Sequence, residues 1–244
     1  METLRAPDPP GASPRAGRLL LVEDEDELRA AMADALTADG HAVVGVAHGA
    51  DALDALASGR FDLVLLDLAL GPGPDGIEVC RRLRRACADL HVLVLTARHG
   101  EADVVLALEA GADDYVTKPI GVAELRSRVR AVLRRVRPPG DAARVLRHGA
   151  LRLNPATRVV AVDDAPVALT YSQFEVLRAL LAADGRLLSR ADMLRAMFGD
   201  DAFRDPRTVD VHVHHLREKL RAAGGDPDAI VTVRGAGYRL GSEP

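Results

Sequence analysis

Aromatic side chains are nearly missing from this chain. Its 244 residues hold three Tyr, four Phe and no Trp, so a core of any size must be filled by Ala, Leu and Val. Cysteine is as scarce, with Cys80 and Cys87 alone, which excludes a disulfide scaffold. The two fall in one helical pattern, where two turns hold their Cα atoms roughly 10 Å apart, too far for a bond. Both are expected as buried, inert thiols in a reducing cytoplasm. No apolar run approaches the roughly 18 residues of a membrane span, so no membrane partner is expected. The N-terminus, METLRAPDPPGASPRAG, has four Pro and no apolar stretch of the signal-peptide kind. Residues 1–17 read as a disordered leader. Positive charge is not in excess either: 32 basic against 36 acidic side chains leave a formal net charge of −4, which at face value speaks against a basic nucleic-acid coat.

What is present is 48% hydrophobic and 28% charged residues, enough for one or two packed domains. From Leu19 on, short apolar runs alternate with amphipathic segments. The runs are Leu19–Val22, Ala42–Val46, Leu63–Leu66, Val92–Leu95 and Tyr115–Val116. They are continuous, as in parallel strands buried on both faces. Leu28, Ala31, Met32, Ala35 and Leu36 make a helical stripe in Asp26–Asp39, and Leu125, Val129, Val132, Leu133 and Val136 make another in Val122–Val136. Five strand–helix units over residues 18–137 predict an α/β doubly wound domain with a five-stranded parallel sheet in the order 2-1-3-4-5. Residues 138–144, with two Pro and a Gly, form a linker. Residues 145–241 change character: short strands, then three helices, then two strands around a Gly-rich turn. Thr170 with Gln173, and Ser189 with Asp192, have capping-box spacing. The third helix opens with Asp205-Pro206.

In a doubly wound sheet, ligands bind beyond the carboxyl ends of the strands. Glu23 and Asp24 follow the first strand and Asp67 the third, and these strands are neighbours in the predicted order. Like charges so close repel. A hard divalent cation removes the conflict, and Mg²⁺ suits a few carboxylates with waters and a phosphate. Thr96 ends the fourth strand and Lys118-Pro119 follows the fifth, a hydroxyl and an ammonium fit for phosphoryl oxygens.

These motifs at successive strand ends, Glu23-Asp24, Asp67, Thr96-Ala97-Arg98 and Asp113 to Pro119, resemble the receiver domain of bacterial two-component response regulators. The resemblance implies that Asp67 accepts a phosphoryl group from a sensor histidine kinase. It implies that Glu23, Asp24, Asp67 and the carbonyl of Ala69 hold Mg²⁺. Lys118 would pair with the phosphoryl oxygens, Thr96 and Tyr115 would switch, and the Lys118–Pro119 bond would be cis. The loop after Asp67, LALGPGPDG, departs from the pattern: Gly71 stands in the usual Pro place and Asp75-Gly76 comes one residue late.

The pattern Thr-Val-Asp-Val-His at residues 208–212, the basic amphipathic helix that follows it and Val-Arg-Gly-Ala-Gly-Tyr-Arg at 233–239 resemble the winged helix-turn-helix of OmpR/PhoB-type regulators, over roughly residues 145–241. On a helical wheel Val209, Val213, Leu216 and Leu220 form a core stripe. Arg207, Val211, His214 and His215 lie opposite, with Thr208 on the flank. Such a face suits the major groove of double-stranded promoter DNA. Arg217 belongs to the expected DNA-contact set, Arg234 is expected in the minor groove at a hairpin tip, and Thr232 and Tyr238 at phosphates. His214 and His215 stand where Arg is common in the family, so specific affinity is expected to rise from about pH 7.5 to about pH 6.

The resemblance further implies a homodimer on phosphorylation, through Asp113, Asp114, Glu124, Arg128, Arg130 and Arg135, with Asp114–Arg128 as an intersubunit pair. It also implies tandem half-sites, and an RNA polymerase contact at the Phe198–Asp205 loop. No enzymatic activity beyond slow autodephosphorylation is expected. A phosphate-independent regulator and an Asp-nucleophile phosphatase are the competing readings. The phosphatase wants a second Asp where Ala69 stands. Charge divides between the halves: residues 1–137 carry 17 basic and 22 acidic side chains, and residues 138–244 carry 15 and 14.

Overall fold

Apolar strand runs need cover on both faces, and the computed structural model supplies it with helices. It describes residues 16–97, 101–136, 144–199, 205–226 and 228–241, without the side chains of Glu101, Arg135 and Val136. Most of the expected leader and linker, and Arg98, therefore lie outside the described residues. The first half runs β1 (Arg18–Val22), α1 (Asp26–Ala38), β2 (Ala42–Val46), α2 (Gly49–Ser58), β3 (Leu63–Asp67), α3 (Gly76–Ala86), β4 (His91–Thr96), α4 (Glu101–Glu109), β5 (Asp114–Thr117) and α5 (Val122–Val136). The five strands form one sheet in the order β2-β1-β3-β4-β5, all parallel. Alternate residues of each strand enter opposite faces. Leu20, Val22, Val64, Leu66, Val92 and Val94 pack toward α2, α3 and α4, and Leu19, Leu21, Leu63, Leu65, Leu93 and Leu95 toward α1 and α5.

The second half runs β6 (Leu146–His148), β7 (Leu151–Asn154), β8 (Val159–Val162), β9 (Ala165–Pro166), α6 (Tyr171–Ala183), β10 (Leu188–Ser189), α7 (Arg190–Phe198), α8 (Arg207–Ala222), β11 (Ile230–Val233) and β12 (Gly237–Leu240). A four-stranded antiparallel sheet precedes the helices, and a three-stranded one, β10-β12-β11, ends the domain as the wing. Both capping boxes are closed, at Thr170/Gln173 and Ser189/Asp192. At α8, Pro206 is already helical and the Asp205 carboxylate accepts from the Arg207 N–H at 2.9 Å. Val209, Val213, Leu216 and Leu220 are buried as the helical stripe predicts.

Cysteine is a partial correction. Cys80 is buried, but Cys87 is exposed, because α3 ends at Ala86 and Cys87 caps it in an extended conformation outside the helical stripe.

The longer loop after Asp67 is absorbed before α3 begins. Gly73 takes a positive φ of 111° in open space, a conformation that Gly adopts without a Cβ penalty. Asp75 then caps α3 by accepting from the Glu78 N–H at 2.8 Å. Gly76 lets the helix press against the end of β3: a Cβ there would sit 2.1 Å from the Asp67 carbonyl oxygen and 2.6 Å from the Leu68 Cα. Backbone atoms cannot yield as a side chain can. Gly76→Ala should therefore lower the stability of the first domain by about 1–3 kcal/mol, read as an earlier first transition in urea. An unchanged transition would mean that α3 shifts freely.

Candidate functional site

The topology brings four strand ends to one rim. Glu23 and Asp24 leave β1, Asp67 closes β3, Thr96 closes β4 and Lys118 follows β5. Carboxylate oxygens of Glu23, Asp24 and Asp67 all lie within 4.8 Å of one another. Glu23 and Asp67 are buried at 1% and 4% exposure, while Asp24 is open to solvent. Lys118 Nζ stands between the buried pair, donating to Glu23 Oε2 and to Asp67 Oδ2 at 2.5 Å each. Burial pulls the Lys118 ammonium down, but its hydrogen bonds to Asp67 and Glu23 outweigh this and hold it above its ordinary value. Glu23 goes the other way: burial, helped by the charge of Asp67, raises its carboxyl despite the Lys118 bond. The lysine alone does not neutralise this rim.

The donor set is all oxygen, with two acids buried and one open, which fits a hard cation that keeps waters. Glu23, Asp24 and Asp67 could hold Mg²⁺. Ala69, the expected carbonyl ligand, lies beside them and donates its N–H to Asp67 Oδ1 at 2.9 Å. Thr96 is buried, and its carbonyl accepts from the Lys118 N–H at 2.7 Å. Lys118–Pro119 is cis. Tyr115 is half-buried and looks away from the rim, into a cavity described below.

The expected DNA residues divide. Arg234 and Thr232 are exposed on the wing, and His214 is exposed, 3.6 Å from Glu218. His215 is half-buried, and burial together with His214 lowers its pKa. It stays neutral to lower pH than an ordinary imidazole, so its share of the expected pH response shifts downward in pH. Tyr238, expected at a phosphate, and Arg217, of the expected DNA-contact set, are drawn into the domain. The Tyr238 ring is buried and its hydroxyl donates to Asp210 Oδ1 at 2.5 Å. Arg217 donates to the Ile230 carbonyl at 2.6 Å and to Thr232 Oγ1 at 2.8 Å. These bonds fix α8 against the wing.

Arg207, Thr208 and Val211 face the first domain. With Val104, Val105, Leu108, Tyr115, Thr117 and Asp205 they line a cavity of about 200 Å³ between α8 and the α4–β5 face. Thr208 is 1% exposed, and Val211 packs against the first domain's core.

Four of the expected dimer residues, Asp113, Asp114, Glu124 and Arg128, are engaged within the chain. Arg128 Nη1 lies 3.7 Å from Asp114 Oδ2, so the pair assigned between subunits closes inside one chain, with both partners buried. Glu124 finds Arg128 one turn on, at 2.7 Å. Arg130 is exposed and near enough to Asp39 and His41 for its charge to act on both. The Arg135 side chain, and residues 200–204 of the expected polymerase loop, lie outside the described residues. Asp113 is fully buried. Burial works to raise its carboxyl, yet Arg84, His91 and the N–H groups of Ser172 and Val92 prevail and lower it to about 2. Arg84 and Ser172 were not singled out from the sequence, and His212 was read only as part of the 208–212 pattern, not as a partner of Asp113. The only signal was Thr170 as a cap, which leaves the N–H of Ser172 among the orphan donors of a helix start.

The raised Glu23 carboxyl has a thermodynamic consequence. A carboxyl whose folded pKa lies above its ordinary 4.5 favours folding only below that value, and its ionised form costs stability as pH rises past it. Glu23→Gln should make the first domain more stable at pH 7 without Mg²⁺. The same change should lower Mg²⁺ affinity at least about tenfold, read as a smaller Mg²⁺-induced rise in Tm. A variant less stable than wild type without the ion would contradict the sign.

Comparison with known proteins follows the same division. Residues 19–130 match the model of the response regulator receiver domain, and residues 164–240 that of the C-terminal domain of transcriptional regulatory proteins. The chain is 42% identical to the alkaline phosphatase synthesis transcriptional regulatory protein SphR of Synechococcus elongatus, over 96% of this chain and 94% of that one. It is 43% identical to the transcriptional regulatory protein AfsQ1 of Streptomyces coelicolor, over 91% and 97%, and 41% identical to the sensory transduction protein RegX3 of Mycolicibacterium smegmatis, over 91% and 98%. A solved mutant of RitR shares the fold, with a TM-score of 0.73 and 24% identity over 92% of this chain and 99% of that one. With a receiver fold in its first half and a winged helix-turn-helix in its second, the chain belongs to the OmpR/PhoB-type response regulators of two-component systems.

Proposed function

We propose that this regulator is switched by phosphorylation of Asp67 from a sensor histidine kinase, in the cytoplasm, and that its phosphorylated receivers pair so that two C-terminal domains read tandem promoter half-sites. The observation that carries the proposal is the Asp67 carboxylate itself. It is held by Lys118 at 2.5 Å and within 4.8 Å of two further acids. An Asp67 oxygen attacks the phosphorus of the kinase's phosphohistidine, the P–N bond breaks, and an acyl phosphate forms on the aspartate. Mg²⁺ on Glu23, Asp24 and Asp67, when bound, supplies positive charge to the transferring phosphoryl oxygens. Lys118, already charged and oriented, pairs with those oxygens too. Buried Thr96 stands at the neighbouring strand end to hydrogen-bond them. The chain turns over no substrate of its own beyond slow loss of the phosphoryl group.

Pairing raises DNA affinity because the second reader binds at high effective concentration. Half-sites about one helical turn apart suit two such domains. His214 and Arg234 are exposed and are the residues we expect to meet DNA, and the α7–α8 loop is the segment we expect to meet RNA polymerase.

The test is incubation with a small phosphodonor and Mg²⁺, followed by a phosphate-retarding gel. Wild type should give one retarded band, lost in Asp67→Asn. Absence of the band in wild type would leave a phosphate-independent regulator, and its persistence in Asp67→Asn would place the acceptor elsewhere.

A further inference from the structure

We propose that His48, at the start of α2, is a positioning residue for the divalent cation of the acid rim: its imidazole accepts a hydrogen bond from a water of the ion held at Asp24. The inference deepens the cation site described above and rests on the reading of that rim as a phosphoacceptor pocket.

The fold brings His48 to the rim from two sides. β2 lies beside β1, and the Glu23 N–H donates to the Val46 carbonyl at 3.1 Å, so the loop that carries His48 leaves its strand next to the one that carries Glu23 and Asp24. The longer loop after Asp67 then leans onto it. A Cβ on Gly49 would lie 2.1 Å from the Pro74 carbonyl oxygen and 2.8 Å from Val79 Cγ2. Only a glycine allows that approach, and it seats the loop against the first residue of α2. Earlier in the same loop, Gly71 leaves a niche. The nearest atoms to a Cβ built there are Asp24 Oδ2 at 3.8 Å and His48 Nδ1 at 3.9 Å. A carboxylate oxygen and an imidazole nitrogen therefore border the same small space.

Neither group is spent elsewhere. His48 holds the N-cap position of α2, yet its side chain makes no capping bond. Among the described residues, neither the imidazole nor the Asp24 carboxylate has a hydrogen-bond or ion-pair partner, and both residues are exposed.

A hard cation on a few carboxylates keeps several waters, and partners outside the ligand shell tune its affinity. A neutral imidazole nitrogen is an acceptor for the protons of such a water. Two metal–oxygen bonds of about 2.1 Å and one hydrogen bond of about 2.8 Å span a gap of this size. Position 71 controls the space. Gly71 is not among the glycines with positive φ, so a larger residue suits its backbone but fills the niche. A histidine that merely paired with Asp24 would act in the opposite direction, since it would compete with the ion for that carboxylate.

The test is titration of the full chain with Mg²⁺ at about pH 8, read as the ion-induced rise in Tm, for wild type, His48→Ala, His48→Gln, Gly71→Val and the double variant His48→Ala/Gly71→Val. All should keep the wild-type urea transition without the ion. His48→Ala and Gly71→Val should each weaken Mg²⁺ binding about three- to tenfold, the loss of one hydrogen bond. The double variant should lose no more than either, because both remove the same contact. His48→Gln, whose amide oxygen also accepts, should recover part of the affinity. Mn²⁺ below saturation should broaden the His48 ring signal in the NMR spectrum, assigned by its loss in His48→Gln, and Asp24→Asn should abolish the broadening. A folded His48→Ala that binds Mg²⁺ as wild type does, or more tightly, overturns the proposal, and so does a His48 signal that Mn²⁺ leaves sharp. If the affinities fall as expected while wild type takes no phosphoryl group from a small phosphodonor, the role of His48 stands and the phosphoacceptor reading fails.

Discussion

Three carboxylates cannot share one rim of a sheet without a cation among them, and the working parts of this receiver follow from that constraint. The fold forces Glu23, Asp24 and Asp67 together by placing β1 beside β3. Burial of Glu23 and Asp67 raises the electrostatic cost, since water no longer screens them. Lys118 relieves part of it by touching both. The relief is incomplete, as the raised Glu23 carboxyl records. A site left short of positive charge suits a divalent ion.

Lys118 also has a counterpart at the other end of β5. Only the four residues of β5 separate it from Asp113, and the two residues solve opposite problems. Lys118 is a cation among anions at a ligand site. Asp113 is an anion in the protein interior, made tolerable by Arg84 and by helix-start N–H groups from the other domain. A buried charge that loses one of its partners is far more costly than an exposed one. Asp113 therefore couples the placement of α6 and α8 to the integrity of β5. The pairing of Asp114 with Arg128 and of Arg128 with Glu124 stiffens the same surface from the α5 side.

Much of this was legible in the sequence, because strands buried on both faces announce themselves as unbroken apolar runs, and each expected strand lies within or matches an observed one. The capping boxes at Thr170 and Ser189 were readable for the same local reason: three residues fix the whole motif. The acid rim needed one further inference, the order of the strands. The contacts of Asp113 with the second domain were beyond reach. Asp113 lies 59 residues from Ser172 and 99 from His212, and no local period links them. The wheel of α8 separated its apolar stripe from its polar side, yet it could not say that part of the polar side meets the receiver. The partners of Tyr238 and Arg217 were hidden for a related reason. An aromatic on the wing and a guanidinium on α8 look like DNA contacts, and only the structure shows that a carboxylate, Asp210, and a carbonyl, that of Ile230, engage them. Cys87 failed at a boundary, where one residue decides whether a side chain follows the buried stripe.

The overall charge of −4 hides a division that bears on how the protein works. The acidic excess lies in the receiver half, with 22 acidic against 17 basic residues up to position 137, while the remainder is nearly balanced at 14 against 15. Between Pro206 and Ala223 four basic residues face two acidic ones, but Arg217 is turned into the wing and Lys219 donates to the Ala168 carbonyl and to Gln173 Oε1. His212 is buried and held near a pKa of about 4, so it adds no charge at neutral pH. Affinity for DNA grows with the number of phosphates neutralised, and a single α8 offers few free cations for that. The receiver's negative field, close to α8, opposes even those, so local charge leaves a single reader only weakly cationic.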